Sequence, residues 1–236
     1  MATVIDIDAD LLRRAHENFW LDLDDVSYGA GVDGREQVVF TENRRWVGRL
    51  DFVRMRPAAL RYAVVIGDRL RGRANILRVT LRNHRALRYL GDEAKFYSQA
   101  GISDADVAAG HIRFDDGTSF DDGTGFALPD YEEPTVVADV DAGVSEICMR
   151  GYLGRNIAVG SFFSVNDFLY RVEANAHGKI SFNPPLRQAV KAGAQVNVSY
   201  PTVQVRLQSQ SDWRPFCEYF RNGQPMTVNV TEAFDR

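Results

Sequence analysis

The sequence predicts a mainly β protein with a few short helices, in which an N-terminal domain packs a helix on a twisted sheet and carries an inserted small β-barrel. Three observations predict this class. Short runs such as Phe168-Leu169-Tyr170-Arg171-Val172 and residues 203–207 alternate with the period of a strand. Turn formers, among them Asn166-Asp167, His177-Gly178 and Ala192-Gly193, separate those runs every few positions. Helical spacing is confined to two stretches, one after Asp10 and one after Pro57.

Asp10 is placed to cap a short helix with Leu11, Ala15 and Phe19 on one stripe, Leu12 beside them, and Arg13, Arg14 and Glu17 outward. His16, alone on such a helix, reads as a surface residue. Residues 37–40 and 46–55 then alternate as two strands joined by the polar loop 41–45, with Leu50 and Phe52 on the face of Trp46. Pro57 suits a first helical turn, Leu60, Val64 and Leu70 follow near helical spacing, and Gly72 ends the run. Residues 75–81 return as a strand with Leu77, Val79 and Leu81 on one face. This strand, strand, helix, strand unit is the expected core of the first domain.

An acidic, extended stretch around Pro134 leads into the barrel. Its expected strands are 162–165, 168–172, 180–182, 195–198 and 203–207, and Pro184-Pro185 stops the third because neither residue donates to a ladder. Phe168, Tyr170 and Val172 take the core side, with Leu169 and Arg171 opposite. Beyond the polar run 208–212, Trp213, Phe216, Tyr219 and Phe220 form an aromatic-rich stretch, and Asn222-Gly223 turns into a last strand over 226–230. The expected domains are therefore 1–143 plus 208–236, and 144–207.

Composition narrows the function. The chain has 236 residues, 45% of them hydrophobic, which is ordinary for a protein that buries a core. No apolar run approaches membrane-spanning length, and the acidic opening MATVIDIDAD is unlike an export signal, so neither membrane insertion nor export by that route is expected. Cys148 and Cys217 stand far apart outside any C-x-x-C arrangement and read as two buried free thiols of a reducing cytosol, too few for a zinc or iron–sulfur site.

The net charge of −4 conceals a strong asymmetry. Residues 69–88 hold seven arginines and no acid, whereas residues 104–141 hold eleven acids against Arg113 alone. The arginine block has no interleaved aromatic apart from Tyr89 and sits in an acidic chain, so specific nucleic-acid binding is not expected and a solvated or subunit-pairing surface is. Arg69, Arg71, Arg73 and Arg78, set against Asp115, Asp116, Asp121 and Asp122, are the candidate subunit interface.

Within the acidic region Phe-Asp-Asp-Gly-Thr occurs twice, from Phe114 and from Phe120. The acids are raw material for calcium ligation, but the spacing and closing glutamate of an EF-hand loop are missing. Consecutive turns pinned by Phe114, Phe120 and Phe126 are the expectation, with no metal. Asp121 and Asp122, or Glu132 and Glu133, point to opposite faces of an extended segment and cannot flank one glycosidic bond. His16, His84, His111 and His177 are scattered, and there is no G-x-S-x-G, H-E-x-x-H or phosphate loop, so neither an enzyme nor a cofactor is expected.

Two sets of residues carry a resemblance. Gly34, Gln37, Val39 and Trp46, followed by Leu50-Asp51-Phe52, a short helix and Leu70-Arg71-Gly72-Arg73-Ala74-Asn75, resemble the N-terminal domain of the distal tail proteins of long-tailed bacteriophages and gene transfer agents. Val159-Gly160-Ser161, Phe168-Leu169-Tyr170-Arg171-Val172 and Ile180-Ser181-Phe182-Asn183-Pro184-Pro185-Leu186-Arg187, in that order, are similar to a barrel module common in tail proteins of such phages.

The resemblance implies a ring-forming domain of β-sandwich or split-barrel type, an SH3/OB-like barrel on its outside, and a last strand ending near Glu232-Ala233-Phe234 that rejoins the first domain. It further implies a structural protein of the virion tail, assembled in the host bacterial cytoplasm, whose homo-hexameric ring joins the tail tube protein to a hub or baseplate protein. The expected helix at 11–19 departs from that family's short extended opening. A trimeric hub or other tail-tip subunit, or a carbohydrate-binding host-recognition module, is the alternative.

Overall fold

A computed structural model describes residues 2–7, 12–22, 26–30, 36–39, 44–81, 96–98, 100–120, 122–129, 133–213 and 225–234. The protein is mainly β with short helices. It divides into two compact units, one of residues 1–81, 167–169 and 202–236, the other of 82–166 and 170–201.

The first unit is a six-stranded sheet. Its strands are β1 (Val4–Asp6), β2 (Arg14–Asp22), β5 (Arg45–Phe52), β6 (Ile76–Thr80), β14 (Thr202–Leu207) and β15 (Met226–Glu232), in the order β1-β6-β14-β15-β5-β2. β1 runs parallel to β6 and every other pairing is antiparallel. Trp46, Leu50, Phe52, Leu77, Val79, Val203, Val205, Val228 and Val230 form its buried centre. Gly48 admits the ring of Phe19, since a Cβ there would lie 2.5 Å from Phe19 Cε1.

Helix α1 (Pro57–Leu70) joins β5 to β6 and buries Ala59, Leu60, Ala63, Ile66 and Leu70. Proline at the first turn costs no hydrogen bond, and the buried positions recur at helical spacing. The helix ends at Arg71, left-handed at φ 48°, followed by Gly72 at φ 67°.

Three expectations about this unit are corrected. The stretch read as a helix over 11–19 is strand β2, paired with β5 from Arg14↔Phe52 to Asp22↔Arg45. A helix of that length gains little alone, whereas a ladder against a buried strand satisfies its backbone; Asp10 and Leu11 lie outside the described residues. The strand expected at 37–40 is β4 (Glu36–Val39), and it pairs with β3 (Val26–Ala30) and not with β5. Residues 203–207, assigned to the barrel, lie between β6 and β15 in this sheet.

The second unit contains a five-stranded sheet, β9 (Thr135–Val136), β10 (Glu146–Arg150), β11 (Phe162–Val165), β12 (Phe168–Ala176) and β13 (Lys179–Asn183), in the order β11-β12-β13-β10-β9. Asn166 and Asp167, at φ 51° and 63°, make the two-residue turn between β11 and β12. Phe163, Tyr170 and Phe182 pack ring on ring with centroids 5.2–5.4 Å apart, and the Tyr170 hydroxyl accepts from the Arg187 N–H at 3.1 Å. The segment expected as strand 195–198 makes only the bridges Thr135↔Gln195 and Ser164↔Asn197. Glu133 holds it by accepting from the N–H groups of Val198 and Ser199 at 2.9 and 3.1 Å. Burial pushes the Glu133 carboxyl up, and those hydrogen bonds oppose it.

By contact, the described residues from 96 to 143 group with β10–β13, and β14 with the first sheet. Leu169, placed on the outer face of its strand, is fully buried. Cys148, expected inside, is exposed at an outward position of β10; Cys217 lies outside the described residues.

Candidate subunit interface

The arginine group belongs to the first unit. Arg69 stands in the last turn of α1, and Arg69, Arg71 and Arg73 are all exposed. Two side chains hold the main chain of the turn that carries them. Arg206 Nη1 donates to the carbonyls of Arg73 and Ala74 at 2.6 and 2.8 Å, and Asn75 Nδ2 donates to the carbonyl of Arg69 at 2.7 Å. Arg78 has a different environment: it pairs with Asp6 and, at 3.4 Å, with Asp167, and the Asp6 hydrogen bond raises its pKa further. Its charge is engaged within the unit. Arg82, Arg85 and Arg88 lie outside the described residues.

Beside Arg71, a cavity of about 310 Å³ opens between α1 and the chain after β14. Val64, Gly67, Leu207 and Trp213 supply its apolar wall, and Asp68, Arg71, Gly72 and Gln210 complete the lining. Trp213 donates from Nε1 to the Ala63 carbonyl at 2.9 Å and meets the Phe52 ring edge-on at 6.0 Å. Gly67 makes this possible, since a Cβ there would lie 2.5 Å from Trp213 Cδ1.

The acids belong to the second unit. Helix α2 (Asp104–Ala109) leads into a two-stranded ribbon of β7 (His111–Ile112) and β8 (Phe126–Ala127). Ser103 caps α2 by accepting from the Asp106 N–H at 3.2 Å, and its hydroxyl donates back to the Asp106 carboxylate. Arg113 donates to the other oxygen of Asp106 at 2.8 Å. The Ser103 hydroxyl and the Arg113 guanidinium hold the Asp106 carboxyl down at about 2.

Between β7 and β8 the repeated pentapeptide folds the same way twice. Phe114 N–H donates to the Thr118 carbonyl at 2.9 Å and Gly117 N–H to the Phe114 carbonyl at 2.8 Å; in the second copy the Phe120–Thr124 and Gly123–Phe120 distances are 2.8 and 2.7 Å. Asp116 Oδ1 accepts the N–H and hydroxyl of Thr118 at 2.9 and 2.6 Å, and Asp122 Oδ1 accepts those of Thr124 at the same distances. The threonine hydroxyls, then the threonine N–H groups, lower the pKa of both aspartates, so both are charged at neutral pH. Gly117 and Gly123, at φ 79° and 78°, occupy the left-handed position each turn requires.

This geometry brings three rings together. Phe114, Phe120 and Phe126 meet edge to face with centroids 5.0, 5.8 and 5.6 Å apart, yet remain 39%, 44% and 55% exposed. Asp115 and Asp116 lie exposed in the first turn and Asp122 in the second; Asp121 lies outside the described residues.

No protein-family model matches the chain, and no curated protein matches it. Among the described residues no group of three or more His, Cys, Asp or Glu is placed to hold a metal ion, and no helix is long and apolar enough to cross a membrane. The cavity beside Arg71 was not anticipated from sequence. Its legible traces are Gly67 inside an otherwise regular helix and Trp213 at the head of an aromatic stretch.

Proposed function

We propose that the chain is a structural virion protein, a distal tail protein working as a hexameric ring that joins the tail tube protein to a hub or baseplate protein. On this reading the six-stranded unit is the ring-forming domain of sandwich or split-barrel type, and the five-stranded unit is the SH3/OB-like decoration. The protein would sit in the tail of the virion after assembly in the host bacterial cytoplasm, and its work is assembly and not catalysis.

The observation that carries the reading is the pair of exposed surfaces of opposite sign. Arg69, Arg71 and Arg73 lie at the end of α1 and in the turn after it, and Asp115, Asp116 and Asp122 on the two turns of the repeat. Such surfaces favour the approach of a second molecule and set its orientation. A second support is the sheet order, in which β1 and β2 stand at the two ends. End strands of an open sheet suit closure against further copies.

Arg71→Glu with Arg73→Glu is expected to abolish ring formation, scored by electron microscopy of the purified protein, while circular dichroism stays that of the folded monomer. An unaffected ring would reject the arginine turn as an interface. Six-fold against three-fold rings in the same images separate the distal tail reading from a trimeric hub.

A further inference from the structure

We propose that the Phe114, Phe120 and Phe126 cluster of one copy docks into the cavity beside Arg71 of a neighbouring copy, a contact that rests on the self-assembly reading above. Three phenylalanine rings clustered on one short ribbon stay 39%, 44% and 55% exposed and form an apolar patch. The twin turns beneath them are closed by their own main-chain and threonine hydrogen bonds, so little conformational freedom is lost when the rings are covered.

Two properties of the cavity select this occupant. Its wall of Val64, Gly67, Leu207 and Trp213 is apolar and aromatic, and its volume of about 310 Å³ admits an aromatic side chain. Arg71 lines it and the exposed Arg73 follows two residues on, against the single lining acid Asp68, whereas the phenylalanines are flanked in sequence by the exposed Asp115, Asp116 and Asp122. Arg113, the one arginine near that patch in sequence, is bound to Asp106. The charges thus align the same two surfaces that the apolar groups match. An aromatic anchor in a pocket beside paired arginines and carboxylates is the usual composition of an interface centre. Because donor and acceptor patches differ, the contact is head-to-tail, the kind that closes into a ring when the rotation permits.

The test places the photo-crosslinking residue benzoylphenylalanine at position 120 of the full chain and mixes nitrogen-15-labelled with unlabelled protein. Cross-linked peptides between differently labelled copies, joining residue 120 to 64–73 or 207–213, are the expected result. Phe120→Ala with Phe126→Ala should weaken self-association at least about tenfold, with unchanged circular dichroism. Rings whose cross-links fall elsewhere, or only within one copy, overturn this contact while leaving the ring reading standing. A chain that stays monomeric at every concentration overturns both.

Discussion

At the scale of single residues, the chain spends its unusual choices where two groups must come closer than side chains ordinarily allow. Gly67 sits inside α1, where glycine costs roughly 0.5–1 kcal/mol relative to alanine, because the Trp213 ring occupies the space of its Cβ. Gly48 does the same for Phe19 within the sheet. Thr118 and Thr124 act on charge, each lending a hydroxyl and an N–H to one carboxylate oxygen. Thr118→Val, which keeps the shape and deletes the hydroxyl, is expected to raise the Asp116 pKa towards the ordinary carboxylate value and leave Asp122 in place. Carbon-detected NMR titration of the two carboxyls checks this, and an unmoved Asp116 would remove the hydroxyl as the cause. The paired turns were legible in the repeat itself, since one spacing of Asp, Gly and Thr recurs; the burial of Leu169 was not, because alternation describes only a strand with one wet face.

At the scale of elements, short segments take the structure their neighbours offer. The Arg14–Asp22 stretch carries apolar groups compatible with either period, and pairing along β5 decides for the strand. Helix α2, only six residues long, depends on its cap and on the Ser103–Asp106–Arg113 contacts. Asp106 has a folded pKa of about 2 against 3.8 for the free group, so folding favours its charged form. That contribution is complete above the unfolded value and is lost as pH falls through the folded one. The amide signals of α2 and β7 are therefore expected to shift with a midpoint near 2 in an NMR pH titration; a midpoint near 4 would show that Asp106 does not hold the cap. The helix at Asp104–Ala109 and its Ser103 cap were not read from sequence, and Arg113, seven residues on from Asp106, reaches the same carboxylate because the chain turns at Gly110.

At the scale of the whole molecule, the proposed assembly combines a screened attraction with an unscreened one. Charge pairing weakens as the Debye length falls from about 10 Å at 0.1 M salt to about 3 Å at 1 M, whereas burial of phenylalanine does not weaken with screening. Self-association measured by analytical ultracentrifugation should therefore fall between 0.1 and 1 M salt without vanishing; complete insensitivity to salt would reject the pairing of the arginine and aspartate turns. Local chemistry was settled by sequence alone: the β class, the helix from Pro57 to Leu70, the turns at Asn166-Asp167 and His177-Gly178, and the opposite charge of two surfaces. These depend on neighbours a few residues apart, and side-chain period, proline and left-handed backbone report them directly. Tertiary structure alone decided that Thr202–Leu207 joins the first sheet, that Arg78 is engaged by Asp6 and Asp167, and that Val64, Leu207 and Trp213 line one open cavity. A strand's alternation says which side is buried and is silent about its partner, so contacts between residues far apart in the chain are chosen by packing and hydrogen bonding across the folded sheet.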